Sequence, residues 1–120
     1  MPAESADSMD KLLAAALEAL PGPVMIYDQD RVVYANAASW RMLGAVTRDD
    51  VVGQRLDAFL PAEFADASNE RRAYVIGREM EFTNLRAKIR TLDGRTLTLN
   101  VDVRPISLDG RTVAMVTLAG

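Results

Sequence analysis

The residues best suited to acid–base chemistry in this sequence are Tyr27, Asp28 and Asp102. Asp28 stands at the end of a β-rich run beside a turn, where a carboxylate commonly caps backbone N–H groups. Asp102 shares the polar side of a strand pattern with Thr98, Asn100 and Arg104, where a solvated carboxylate is normal. No pattern places a perturbed carboxylate in an apolar cleft. We therefore expect no catalytic residue and no enzyme.

The chain contains neither Cys nor His among its 120 residues. Without Cys there is no disulfide, no thiolate nucleophile and no Cys-ligated metal. Without His the commonest general base, metal ligand and haem ligand is missing, so we expect no metal and no cofactor. The net charge of −3 gives no electrostatic footprint for nucleic acid. Because neither a signal peptide nor an apolar run of roughly 20 residues is visible, we expect a cytoplasmic domain without membrane contact.

An amphipathic helix is predicted over residues 9–20, after a stretch, residues 1–8, that we expect to be flexible. The apolar stripe consists of residues at helical spacing: Met9, Leu12, Leu13, Ala16, Leu17 and Leu20. The segment Pro21-Gly22-Pro23 ends this helix. The stripe must cover apolar surface of its own domain or of a partner chain, and the sequence leaves both open.

Two β-rich runs, residues 24–28 and 32–35, follow as a tight hairpin. Asn36 predicts the N-cap of a short helix over residues 37–43, and Thr47 with Asp50 resembles a capping box that opens another. A longer helix is then predicted from Pro61 to about Gly77. The inward face of that helix is predicted to hold Phe64, Ala67, Arg71 and Tyr74 or Val75.

The five residues LDGRT occur twice, at 92–96 and 108–112, between runs that alternate apolar and polar side chains. Since Asp-Gly favours a two-residue type I′ turn, we interpret both copies as tight turns joining three antiparallel strands. Alternation predicts an inner face of Leu85, Ala87, Ile89, Leu99, Val101, Val103, Val113, Met115 and Thr117. The outer face of the last strand would then hold Ala114, Val116 and Leu118.

In this order the segments resemble a PAS domain over nearly all of residues 9–119. The resemblance is carried by ALPGPVMIYDQDRVVYANAA, MLG, TRDDVVGQ and LRAKIRTLDGRTLTLNVDVRPISLDGRTVAMVTL. It implies an α+β fold with a five-stranded antiparallel sheet in the order 2-1-5-4-3. Short helices would cover one face and the N-terminal helix the other, with residues 21–120 as the PAS core. It also implies a sensor or interaction module beside an output domain such as a kinase, a cyclase or a regulator.

The resemblance does not extend to the photosensing LOV subclass or the haem-binding subclass. The stretch GQRLDAFLP places Leu56 where LOV members carry a reactive Cys. Ile89, Leu99 and Ala119 stand where LOV members hold amides that contact flavin. Haem-binding members usually ligate iron through His, which the chain lacks.

Two functions stay open. The first is homodimerisation, or contact with a partner domain, through Met9, Leu12, Leu13, Ala16, Leu17, Leu20, Val116 and Leu118. The second is binding of a small apolar molecule such as a fatty acid inside the domain. That pocket would be lined by Trp40, Leu56, Phe59, Phe64, Arg71, Ile89, Leu99, Val101, Met115 and Thr117, with Arg71 pairing a carboxylate head group. The sequence also leaves open whether the chain is a complete protein or a piece of one.

Overall fold

The computed structural model describes residues 11–120, which form one five-stranded antiparallel sheet in the order β2-β1-β5-β4-β3. The strands are β1 (Val24–Tyr27), β2 (Val32–Ala35), β3 (Phe82–Arg90), β4 (Thr96–Leu108) and β5 (Arg111–Ala119). Helix α1, residues 11–18, lies on one face. Helices α2 (Ala37–Met42) and α3 (Ala65–Arg78) lie on the other, with 3-10 turns at Arg48–Asp50, Leu56–Phe59 and Ala62–Phe64. The predicted fold class is confirmed; residues 1–8 and Met9 lie outside the described residues.

The sheet separates two apolar clusters. The inner cluster, between the sheet and α2 and α3, comprises Met25, Tyr27, Val32, Ala35, Leu43, Val51, Leu56, Phe59, Val75, Ile89, Leu99, Val101, Val103, Ala114, Val116 and Leu118. The outer cluster, between the sheet and α1, comprises Leu17, Val24, Ile26 and Val113, with Leu13, Val33, Tyr34, Ile106, Leu108 and Met115 packed against it. Each central strand therefore contributes apolar side chains to both faces, as a strand covered on both sides must.

The two copies of LDGRT form different turns. Asp109 and Gly110 both have positive φ, +50° and +77°, and Leu108 pairs with Arg111, so the second copy is a two-residue loop of the predicted I′ type. In the first copy the pairing closes with Thr91 N–H donating to Arg95 C=O at 2.8 Å, which leaves a three-residue loop. Only Gly94 in that loop has positive φ. The expectation of two identical turns is therefore wrong for the first copy.

The predicted faces of β5 are reversed in the structure. Val101 pairs with Leu118 and Val103 with Val116, and directly paired residues share a face of the sheet. Val116 and Leu118 consequently belong to the inner cluster, together with Ala114. Val113 and Met115 pack in the outer cluster, and Thr117 shares their face because it pairs with Val24.

The predicted inward face of α3 is correct at Val75 and wrong at Phe64, Ala67 and Tyr74. The buried residues of the helix are Arg72 and Val75, whereas Phe64 and Tyr74 are each 39% exposed. Phe64 lies in a 3-10 turn before the α-helix begins. Because a 3-10 turn has 3.0 residues per turn, spacing counted from Phe64 at 3.6 residues per turn selects the wrong side.

Candidate functional site

Arg72 is the only charged side chain that is buried in the described part of the chain, with 3% of its surface exposed. Its Nη2 lies 3.5 Å from Oδ1 of Asp57, and its guanidinium stacks over the ring of Tyr27 at 5.9 Å from the ring centre. The nitrogens Nε and Nη1 are buried and have no hydrogen-bond partner among residues 11–120. The arrangement leaves a fixed cation with unused donors.

Three elements position this group. Tyr27 ends β1, Asp57 lies in the 3-10 turn Leu56–Phe59, and Arg72 projects from the middle of α3. Arg72 faces the interior since it lies one helical turn before Val75, which is fully buried. Sequence reasoning chose Arg71 instead. Counting back from the apolar pair Val75 and Ile76 would have selected Arg72.

The surroundings of Arg72 keep the Tyr27 phenol protonated, and the carboxylate of Asp57 is shared between two arginines. Burial raises the pKa of Tyr27 to about 12, against the smaller lowering effects of the Arg72 and Arg71 charges. Asp57 is partly exposed and lies between two cations, since Arg55 Nη2 is 3.6 Å from its Oδ2. Asp57 therefore compensates the buried charge of Arg72 only in part. The group has donors for an anion but no free nucleophile or base.

A solvent-accessible cleft of about 300 Å³ adjoins Arg72 between α3 and the β1–β2 turn. Its lining consists of Gln29, Asn69, Arg72, Ala73, Ile76 and Gly77. The α3 members fall at i, i+3, i+4, i+7 and i+8, so they form one stripe of the helix. Among residues 11–120, no carboxylate lines the cleft.

The structure divides the residues expected to line an apolar pocket into three groups. Leu56, Phe59, Ile89, Leu99 and Val101 are buried in the inner cluster, and Trp40 packs against it. Met115 and Thr117 lie on the opposite face of the sheet. Phe64 is 39% exposed and Arg71 is half-buried. Arg71 lines a surface depression with Tyr74, Met80 and Phe82. The expected ten residues do not form one site.

Helix α1 is tied to the sheet by polar contacts as well as by Leu17. Nδ2 of Asn36 donates to the carbonyl oxygens of Leu17 at 3.0 Å and Gly22 at 2.9 Å. The Tyr34 hydroxyl donates to the Ala14 carbonyl at 3.0 Å, and Glu18 Oε1 accepts the Ala37 N–H at 2.7 Å. The helix is consequently an integral layer of the domain.

The outer surface beside α1 is nonetheless incompletely covered. Leu12 is 71% exposed, Leu20 42%, and Ala16 is also exposed. A groove of about 720 Å³ runs beside the helix. Its lining is Leu12, Leu13, Ala14, Ala16, Ile26, Val33, Tyr34, Arg48, Ser107, Leu108, Asp109 and Arg111. Of the residues expected at a partner surface, Val116 and Leu118 lie on the other face.

Several solved proteins share this α+β fold. The chain aligns with the PAS domain of nitrogen regulation protein NR(II) from Vibrio parahaemolyticus at 22% identity and a TM-score of 0.69, covering 89% of this chain and 95% of that one. A Rhodobacter sphaeroides LOV protein aligns at 17% identity and a TM-score of 0.71, with 93% and 66% covered. These likenesses establish the fold.

A family model described as "PAS domain" matches residues 21–119, and the chain belongs to this family. It is also 30% identical over 89 residues to sporulation kinase A of Bacillus subtilis (strain 168). That alignment covers 74% of this chain and 14% of the kinase, so the chain spans a small part of its relative's length. PAS domains are generally sensory modules without catalytic activity. Within residues 11–120, no helix has the length and apolar character to cross a membrane.

Proposed function

We propose that this chain is a non-catalytic PAS module of a signalling protein and that it acts by homodimerising through α1 and the groove beside it. The observation that carries the proposal is the exposed Leu12 at the rim of an apolar groove on the same face. In an interface with twofold symmetry, each copy presents the same patch. Leu12 of one copy would then enter the groove of the other, and the reverse contact would follow by symmetry.

The rim of the groove supports a second copy as the occupant. Arg48, Arg111 and Asp109 stand around an apolar floor that includes Ile26, Val33 and Leu108. A rim with charges of both signs around an apolar centre is the usual anatomy of a protein interface. A twofold arrangement brings positive and negative rim groups together without leaving a charge in the apolar centre.

Dimerisation is tested by sedimentation velocity over a concentration series, comparing the wild type with Leu12→Glu. Since a charge in the apolar centre is left without a partner, the variant should raise the dimer Kd at least about tenfold. Leu92→Glu is the matched control, because Leu92 is 47% exposed at the β3–β4 loop, outside the groove. A wild-type monomer at millimolar concentration, or equal effects of the two variants, would refute the proposed interface.

The likeness to sporulation kinase A supports a kinase as the output domain. In this proposal the module senses without a flavin–thiol adduct, because the chain has no Cys to form one. An apolar ligand inside the domain stays a prediction from the sequence. Native mass spectrometry that shows a co-purified fatty acid would support it.

A further inference from the structure

The geometry around Arg72 points to a second surface with a different purpose. We propose that the cleft between α3 and the β1–β2 turn binds a short-chain monocarboxylate through the unpaired donors of Arg72. The inference rests on the sensory role proposed above for its biological meaning, because it supplies the class of ligand that the module would sense. The binding itself does not depend on dimerisation.

Arg72 carries more donors than the described residues use. A guanidinium has five N–H groups and stays protonated at any pH that a protein meets. The only hydrogen-bond partner that the described residues offer is Asp57, at the long distance of 3.5 Å. A buried charge is costly unless hydrogen bonds and an opposite charge compensate it. Because Asp57 is shared with Arg55, an anion at Nε or Nη1 would complete the compensation of Arg72.

The residues that line the cleft favour a ligand with a single carboxylate group. Arg72 is the only charged residue that the described part of the chain contributes to the lining, so the site matches a ligand with a single negative charge. The amides of Gln29 and Asn69 can donate to the carboxylate oxygens that Arg72 leaves free. Ala73 and Ile76 form an apolar wall for a short carbon chain. The volume of about 300 Å³ is at the lower end for ligand pockets, which favours a ligand of a few heavy atoms.

The cleft opens to solvent, whereas Nε and Nη1 of Arg72 are closed to it, so a ligand reaches these donors only when neighbouring side chains move aside. Gln29, Asn69, Ala73 and Gly77 are exposed at the mouth of the cleft, whereas Arg72 lies at its buried end. The side of Gly77 facing away from its helix is open, since a Cβ built there meets nothing within 4 Å. A ligand would enter past the exposed amides of Gln29 and Asn69 and bind with its carboxylate at the buried guanidinium of Arg72.

The test is a ¹⁵N–¹H NMR titration of the whole chain with sodium propionate, and with sodium chloride at the same ionic strength. Propionate should produce saturable shifts in the Arg72 Nε–Hε signal and in the backbone amides of residues 29, 69 and 72–77. Arg72→Met should weaken propionate binding at least about tenfold, since it keeps an unbranched apolar stem and removes the charge and all the N–H donors. Arg71→Met is the matched control, and its Kd should stay within about twofold of the wild type.

Two further measurements separate a ligand site from a purely structural arginine. Arg72→Lys keeps the charge without the planar fork and should bind propionate at least about threefold more weakly while remaining folded by circular dichroism. Leu12→Glu should bind propionate as the wild type does, so failure of the dimer and failure of this site are observed separately. Equal shifts with chloride and propionate, or unchanged binding in Arg72→Met, would show that Arg72 only supports the fold.

Discussion

Asn36 is predicted to hold α1, β1 and α2 together, because one buried amide satisfies four backbone groups. Its Oδ1 accepts the N–H groups of Val24 and Ser39, each at 3.0 Å. Its Nδ2 donates to the carbonyls of Leu17 and Gly22. The side chain is 1% exposed, so water cannot replace these bonds without local opening.

The cost of Asn36→Ala follows from what each group loses. Removing an N-cap costs about 1 kcal/mol. The Val24 N–H is left buried without a partner, which costs about 1–3 kcal/mol. The Leu17 carbonyl loses less because it still accepts the Leu20 N–H at 3.3 Å. We therefore expect a loss of about 3 kcal/mol, a large part of the roughly 5–15 kcal/mol by which domains are stable.

Urea denaturation measures this loss, and hydrogen exchange locates it. Asn36→Ser keeps a good cap for α2 but lacks the amide donors to Leu17 and Gly22. In this variant, amides of α1 should exchange faster while those of α2 stay protected. Asn100→Ala on the outer sheet face is the control and should change stability by less than about 0.5 kcal/mol. A cost below about 1 kcal/mol for Asn36→Ala, or equal loss of α1 and α2 protection in Asn36→Ser, would refute the reasoning.

Two further predictions concern Tyr27 and a pair of glycines. The pKa of Tyr27 is about 12 in the folded chain, against about 10 for a free tyrosine. The stability that comes from keeping this phenol protonated is therefore complete below pH 10, and up to about 2 kcal/mol of it is lost as the pH rises towards 12. The urea midpoint of Tyr27→Phe should fall less between pH 10 and pH 12 than that of the wild type, and equal falls in the two proteins would contradict this prediction. Thermal melts should show Gly110→Ala destabilised by about 1 kcal/mol, because φ is +77°, and helical Gly77→Ala stabilised by about 0.5 kcal/mol. Changes of the same sign would contradict this pair.

The order of elements was predictable because each boundary has a local chemical signal. Asn36 caps α2, and the Asp50 carboxylate accepts the Thr47 N–H at 3.0 Å, both as the sequence indicates. The site was less predictable, since its main residue is a charge in a place where sequence patterns predict apolar side chains. Arg72 is identified only once α3 is aligned on Val75 rather than on Phe64. Its partner Asp57 is 15 positions away, and no periodicity relates the two.

Proline within β4 shows how a local signal depends on the neighbouring strands. A proline commonly marks a strand end or a bulge, yet β4 continues through Pro105 to Leu108, and Pro105 pairs with Ala114. The β3 ladder reaches only Val103, opposite Phe82. At Pro105, β4 therefore has a partner strand on one side only, and the missing N–H costs no ladder hydrogen bond.

The length of each hairpin loop explains why the inner faces of β3 and β4 were predicted correctly and that of β5 was not. Buried and exposed residues alternate along β3 and β4, so their inner faces, including Ile89 and Leu99, follow from the pattern alone. Those faces require odd-numbered residues to pair with odd-numbered ones, which a two-residue loop does not permit. The first LDGRT accordingly forms a three-residue loop in which Leu92 N–H donates to the Leu43 carbonyl at 2.8 Å.

In β5 both faces are apolar, so alternation gives no answer and the turn decides. A two-residue loop at Asp109-Gly110 pairs odd-numbered positions with even-numbered ones. Val101 must then face the same side as Leu118, which reverses the assignment made from alternation. The reversal moves Met115 from the interior to the surface beneath α1, where it packs against the outer cluster. A single turn geometry thus determines which residues of the central strand contact α1 and which contact the inner helices.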